Sequence, residues 1–538
     1  MSTASEIVAQ HLYEAGCRHA FGIPGGEVLH LMEGLEKAGI DFHLVKHENS
    51  GGFMAEGTYH ATGAPGILVA TVGPGVVNAI NVIANAWQDQ VPMIFLTGCV
   101  DANEAETYTH QVFDHTAVIA PISKASMVIS PGAVDVMIDK AIALAVADPP
   151  GPVHLDMPIG LAGAETKPAG YPKPGTIAKV APAPGADLDR ARDALASAER
   201  PLVIAGVDIL HHHAAETLNE AVHRLSMPII TSYKAKGVVP EDDALALGGH
   251  GLSPKSYKLL KPMIDAADVI LLAGYDPIEM RIDWRHTWGT AIEGKTVIEV
   301  AAHPNRHFVH QSDISFVCDV DAGLTALTQG LNGNLTWAGG EVAAMKATLA
   351  DAFPRDEEWG PAAVIDAARN AFPRNGFVAV DTGAHRILLS QQWDCFEPQK
   401  LAQSTGLCTM GCALPLVMGH KLADPETPVI AFTGDGGMEM ILGELATLRD
   451  MALPVVVVVF VDESLSLIEL KQRGGGQDNL GVDFGGTDFA AVANCMGGRG
   501  VTATNRAELE SAITEGLAAD TYTLIACPIG RKAYDGRF

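Results

Sequence analysis

One pattern is written three times along this chain, and it restricts the fold more than any other feature. An apolar run enters a glycine turn, a helical stretch follows, and a proline leads a second apolar run. The copies are GILVATVGPG (66–75) with VPMIFLTG, PLVIAGVDIL (201–210) with SMPIITS, and PVIAFTGDGG (428–437) with LPVVVVVFV. Turn glycine and leading proline are Gly73 and Pro92, Gly206 and Pro228, Gly434 and Pro454. The runs carry few charges and no polar alternation, the mark of strands buried on both faces of a parallel sheet. In the third copy Met438, Ile441, Leu442, Leu445 and Leu448 recur at helical spacing, which predicts one helix of about four turns with a sheet-facing stripe. The expected fold class is α/β, with three doubly wound parallel-sheet domains.

A chain of 538 residues also exceeds one core at roughly 150 residues per domain. Residues 164–187, with KPAGYPKPG and APAPGAD, read as a Pro/Gly-rich linker, and GLNGNLTWAGG (330–340) as a weaker one. The domains are therefore placed near 1–165, 186–330 and 350–538.

Lys and Arg number 36 against 64 Asp and Glu, a net charge of -28. That balance argues against nucleic acid and anionic membrane as partners, since both need basic faces. The longest apolar run, Leu453 to Val461, is too short to span a bilayer. The N-terminus lacks a signal-peptide pattern, and Thr3 with Glu6 reads as a helix capping box. Eight cysteines lie scattered without a CxxC, so reduced thiols in a cytoplasmic protein are expected.

An anionic ligand of so acidic a protein must be held by local devices. Ligands of open parallel sheets sit outside the carboxyl ends of the strands, where helix N-termini point their N–H groups. Gly434, Gly436 and Gly437 let a backbone approach closely, but Asp435 among them repels a bare phosphate. The placement makes sense with a divalent cation between them. Asp462 closes the next strand, and two carboxylates with a backbone carbonyl suit Mg²⁺ that shares its shell with phosphate oxygens.

This GDG segment with a later oxygen ligand resembles the thiamine-diphosphate motif. The chain resembles the family of acetohydroxyacid (acetolactate) synthases and 2-oxo acid decarboxylases over nearly its whole length. The resemblance implies pyrimidine-binding, central and diphosphate-binding domains, and it makes Asp435, Asp462 and the carbonyl of Ser464 the Mg²⁺ ligands, with Leu465 beside the cofactor. The family commonly has Asn where this chain has Asp462; FAD-free catabolic acetolactate synthases also use Asp. HLVKHENSGGFMAEG resembles the segment whose glutamate activates the cofactor, here Glu48. A carboxylate at N1′ of the aminopyrimidine favours the tautomer that takes a proton from the thiazolium. VGPGVVNA supplies Gly73, Pro74 and Asn78, and YTHQVFDH supplies Gln111 with His110 and His115 as proton-shuttle candidates. DTGAHRILLSQQW carries the diphosphate-binding His385. STGLCTMGCALP carries Met410, which wedges the cofactor into its bent form, and Cys408, whose carbonyl takes the 4′-amine.

The family further implies active sites between the subunits of a homodimer or homotetramer and 2-oxo acids as substrates. Two departures argue against FAD: AGYDPIEMR (273–281) replaces the stretch linked with FAD-containing enzymes, and Ala205-Gly206-Val207 replaces their triple glycine. The implied activity is a carboligase, a transferase that decarboxylates pyruvate or another 2-oxo acid and joins the retained carbons to a second carbonyl. Lys471 stands where anabolic synthases place a tryptophan, and a lysine pairs with an anionic acceptor. The alternative is a non-oxidative decarboxylase or C–C lyase that releases an aldehyde.

Overall fold

A computed structural model describes residues 2–172, 175, 177–280, 284, 294–333 and 336–538. Lys173 and Pro174 of the first linker, Asn334 and Leu335 of the second, and Arg281 at the end of AGYDPIEMR lie outside the described residues. Three six-stranded parallel sheets follow one another along the chain. The first contains β1 (His19–Ile23), β2 (Asp41–Leu44), β3 (Gly66–Ala70), β4 (Met93–Cys99), β5 (Ala125–Val128) and β6 (Pro152–Pro158), in spatial order 2-1-3-4-6-5. The second contains β7 (Pro201–Ala205), β8 (Ile229–Thr231), β9 (Ala246–Gly249), β10 (Val269–Ala273), β11 (Thr296–Ala301) and β12 (Ile314–Val317), in order 9-8-7-10-11-12. The third contains β13 (Phe377–Val380), β14 (Leu401–Ala402), β15 (Val429–Gly434), β16 (Val456–Val461), β17 (Arg499–Thr502) and β18 (Thr523–Pro528), in order 14-13-15-16-18-17.

The outer sheets thus share one topology, and the middle sheet has another. The repeated sequence unit specifies a single crossover; which edge the next strand joins depends on contacts the unit does not contain. Strands β15 and β16 pair in register from Ile430 with Val456 to Gly434 with Phe460, so the turns after them open at one sheet edge.

The first copy's helix is continuous over Pro74–Gln88. The single helix expected in the third copy is instead two, Asp435–Met440 and Glu444–Asp450. The apolar stripe survives the break, with Met438, Ile441, Leu445 and Leu448 buried. The intervening turn swings Glu444 toward the first domain, where its carboxylate accepts from the Lys46 N–H at 3.1 Å. Helix Glu341–Ala352 straddles the expected start of the third domain, and it packs Val342, Met345 and Leu349 on the core of the second.

Ser2–Thr3 pairs antiparallel with Glu165–Thr166, and the Thr3/Glu6 capping box is present on helix Ala4–Glu14. The first and third domains meet where helix Glu48–Thr62 lies on helix Ala413–Ala423, inside one apolar cluster that holds Phe53, Met54, Leu416 and Met418. Among the described residues no helix is long and apolar enough to cross a membrane.

Candidate active site in two halves

The first half is built around Glu48, the first residue of its helix and 4% exposed. His47 caps that helix by accepting from the Asn49 N–H at 3.1 Å. Asn78, one turn into helix Pro74–Gln88, donates its amide to Glu48 Oε2 at 3.0 Å. The Gly73-Pro74 turn is thus what carries Asn78 to the buried carboxylate. Gly73 adopts φ 75, and a Cβ there would lie 2.4 Å from the Gln111 carbonyl oxygen. Pro74, with no N–H to satisfy, occupies the first helical position.

The Gly73 N–H donates to His115 Nε2 at 3.2 Å, while His115 Nδ1 meets Asp156 Oδ1 at 2.9 Å. A backbone N–H can only donate, so Nε2 accepts and the ring proton sits on Nδ1. Both nitrogens of this buried ring are engaged. His115, a proton-shuttle candidate by sequence, braces the 108–115 loop against the glycine turn. His154, Thr97 and Ser126 extend the brace: Thr97 Oγ1 donates to Asp156, and His154 contacts the hydroxyls of Thr97 and Ser126 at 2.7 Å each. His110 and Gln111 are exposed, Gln111 with φ 59.

The second half is a cavity at the ends of β13, β15 and β16, lined by His385, Met410, Gly434–Gly437, Asp462, Ser464 and Leu465 among others. Asp435 Oδ1 accepts from the Gly436 N–H at 2.8 Å, and Oδ2 accepts from the N–H groups of Asp462 (3.0 Å) and Glu463 (2.6 Å). Its side chain therefore ties the two strand ends together. Asp462 accepts from the Ser466 hydroxyl. Glu463 takes φ 55 and turns the chain between Asp462 and Ser464. Burial raises both aspartates, Asp462 to about 7; repulsion from Asp435 adds to the rise of Asp462, and repulsion from Glu439 to that of Asp435. Among the described residues no lysine or arginine lines this cavity. Two desolvated carboxylates without a cation are the donor set of a hard divalent ion.

Other polar groups at this cavity have no protein partner. His385 Nε2 and Thr382 Oγ1 are buried and unpaired. The His385 ring stacks on Phe460 at 5.4 Å between centroids, and burial lowers it to about 3, so it stays neutral. Those orphaned groups beside a glycine cradle are what an anionic cofactor arm would satisfy.

Asp381 was not singled out by its sequence context, yet it organises this half. Its fully buried carboxylate accepts from Gly411 N (2.8 Å), Cys412 N (3.3 Å), Thr382 N (2.8 Å) and Thr433 Oγ1 (2.9 Å). A Cβ on Gly437 would lie 2.2 Å from Asp381 Oδ2, so only glycine fits there. The loop that carries Cys408 and Met410 is also fastened to the first domain. Thr405 N and Gly406 N donate to Asp89, and the Ser404 and Thr409 hydroxyls donate to Asn85 (2.6 Å) and Asn81 (2.9 Å). Cys408 holds φ 54, with its sulfur 3.3 Å from Arg386 Nη2. Only the DTG turn hints at Asp381; nothing local marks Asn81, Asn85 or Asp89.

Glu48 is not among the residues that line this cavity. Lys471 is exposed on helix Ser466–Gly474. Lys234 lies 3.5 Å from Asp89, and buried Lys236 pairs with Glu241 at 2.6 Å.

Comparison with known proteins assigns the same three units. Residues 2–118, 188–327 and 381–527 match the models for the N-terminal, central and C-terminal domains of thiamine pyrophosphate enzymes. The large subunit of acetolactate synthase isozyme 3 from Escherichia coli is 29% identical, over 96% of this chain and 92% of its own length. An acetolactate synthase of Bacillus subtilis is 25% identical, over 98% and 93%. A probable 2-ketoarginine decarboxylase of Pseudomonas aeruginosa is 28% identical, over 97% and 93%.

Proposed function

Because the chain belongs to the thiamine pyrophosphate enzyme family, we propose that it is an acetolactate synthase-like carboligase that uses thiamine diphosphate and Mg²⁺. The observation that carries this reading is the pairing of buried Asp435 and Asp462 at adjacent strand ends, in a cavity that His385, with its unpaired Nε2, also lines. Asp435, Asp462 and the Ser464 carbonyl would hold Mg²⁺, and the Gly434–Gly437 turn with His385 and Thr382 would hold the diphosphate. Met410 and the Cys408 carbonyl would face the cofactor's rings.

When bound, thiamine diphosphate supplies a nucleophilic carbon and an electron sink for loss of CO₂ from a 2-oxo acid. Glu48 exchanges a proton with the pyrimidine nitrogen, and its burial with one amide partner fits that task. Leu465 and Phe460 line the cavity of the metal half and would limit water around a bound metal. Glu48 is not among the residues that line the cavity, and the family resemblance implies sites between subunits, so Glu48 of one subunit would meet the metal half of another in a homodimer or a tetramer of such dimers.

Supports for an FAD-independent enzyme lie in the middle domain. Asp208 follows the Gly206 turn at the switch point of the sheet, accepts from Ala302 N at 3.2 Å and opposes an anionic dinucleotide there. Eight unpaired thiols suit a cytoplasmic protein.

The likeness to a probable 2-ketoarginine decarboxylase favours a second reading, release of an aldehyde, with exposed His110 as the proton donor. Product identification separates them. The apoprotein with thiamine diphosphate, Mg²⁺ and pyruvate is expected to form acetolactate; acetaldehyde with no acetolactate, across a panel of 2-oxo acids, overturns the carboligase reading.

A further inference from the structure

The C-terminal tail reaches the cavity of the metal half. Tyr534 lines it together with Asp435, Asp462 and His385. The side chain is 3% exposed, and its hydroxyl is buried without a hydrogen-bond partner. Polar groups buried this deeply are paired as a rule, so an orphan that faces a cavity marks a place for a ligand atom. The ring belongs to the third domain's apolar cluster, with Phe538 close by.

Ion pairs on both sides of Tyr534 hold the tail in place. Arg531 meets Asp483 at 3.0 Å and Glu463 at 3.4 Å, Asp535 meets Arg473 at 2.5 and 3.0 Å, and Arg537 pairs with Glu357. Lys255 of the second domain also donates to the Gly536 carbonyl. The ring is therefore pinned from outside the cavity, and the hydroxyl's lack of a partner is not the slack of a loose end.

We propose that the Tyr534 hydroxyl donates a hydrogen bond to an oxygen of the bound diphosphate, making the C-terminal tail a wall of the cofactor site. The inference rests on the diphosphate occupying this cavity, as argued above. The hydroxyl remains protonated, because burial raises it well above the ordinary tyrosine range and the nearby carboxylates raise it further. A neutral donor suits a cavity lined by two carboxylates and, among the described residues, by no lysine or arginine. No carboxylate of the cavity reaches the hydroxyl, and water on a divalent ion is polarised into a donor, so the acceptor assigned to the tyrosine is a phosphate oxygen.

The test is a titration of full-length apoprotein with thiamine diphosphate at saturating Mg²⁺, followed by calorimetry, for wild type and Tyr534→Phe. The expected result is a Kd raised about tenfold or more in the variant, with inorganic diphosphate weakened by a similar factor. The melting temperature of the apo variant should equal or exceed that of wild type, because the deleted hydroxyl has no protein partner. An unchanged Kd overturns the proposal. A fall in apo melting temperature that accounts for the weaker binding also overturns it, by showing a bracing role. If wild type itself does not bind thiamine diphosphate, the proposed function falls, and this inference with it.

Discussion

Gly57 and Gly419 press two helices together backbone to backbone. A Cβ on Gly57 would lie 2.1 Å from the Leu416 carbonyl oxygen, and one on Gly419 would lie 1.9 Å from that of Met54. The contact joins the first and third domains of one chain at helices that occupy equivalent places after β2 and β14. It fixes which faces of the two domains are used up within the chain.

Gly57→Ala and Gly419→Ala should each destabilise the protein by about 2 kcal/mol or more, since neither backbone can move aside without repacking the shared core. Thermal melts of the single variants check this. A melting temperature equal to wild type would mean the helices cross less closely than described.

Glu48→Gln should lower turnover by about 10²- to 10⁴-fold while cofactor binding is retained, and Asp435→Asn should abolish metal-dependent binding. Neither variant alone should be active. Reassembled in equal amounts, they should regain about a quarter of wild-type activity, because half the dimers are mixed and each mixed dimer keeps one intact site. No recovery on mixing would argue that Glu48 and Asp435 serve the same chain's site.

Chelation of divalent metal should release thiamine diphosphate, and Mg²⁺ should restore its retention through gel filtration. Full activity in excess EDTA, with no metal left on the protein, would remove the roles given to Asp435 and Asp462.

Asp381→Ala should cost several kcal/mol, because it strands the N–H groups of Thr382, Gly411 and Cys412 and the Thr433 hydroxyl. Cofactor affinity should fall with stability, since the same carboxylate shapes both the Gly437 turn and the Met410 loop. A melting curve together with a binding titration reads both effects.

His212 bridges two domains, with Nε2 3.2 Å from Asp148 and Nδ1 3.2 Å from Asp319. Burial is the largest single influence and lowers its proton affinity, but Asp148, Asp319 and Asp208 together outweigh it, so the net shift is upward. A histidine raised on folding contributes stability that is complete below its unfolded value, about 6.5. That contribution is lost as pH rises through the folded value. The melting-temperature gap between wild type and His212→Ala should therefore be wide at pH 6 and narrow at pH 9. A gap independent of pH would mean the ring stays neutral.

The fold class and the residues at the strand ends were legible because both are short-range. An apolar run, a glycine turn and a helix declare a crossover within about 30 residues, and Gly73, Glu48, Asp435 and His385 sit in the turns that such units create. Local pattern also misled, since the stripe from Met438 to Leu448 reads as one helix while the chain breaks it to send Glu444 to Lys46. His115 looked like a loop histidine until Gly73 and Asp156 claimed both its nitrogens.

What tertiary structure alone decided is every partnership between residues far apart in the chain. Asp381 with Gly411, Asn85 with Ser404, Gly57 with Gly419 and Tyr534 beside Asp435 leave no trace in any short window. Their cause is physical: a buried donor, an unpaired hydroxyl or a close backbone approach exists only once distant strands have stacked and excluded water. The sequence by itself determined three parallel-sheet units and the chemistry offered at their turns. The packing determined which of those turns face one cavity, and which buried groups are left there without a protein partner.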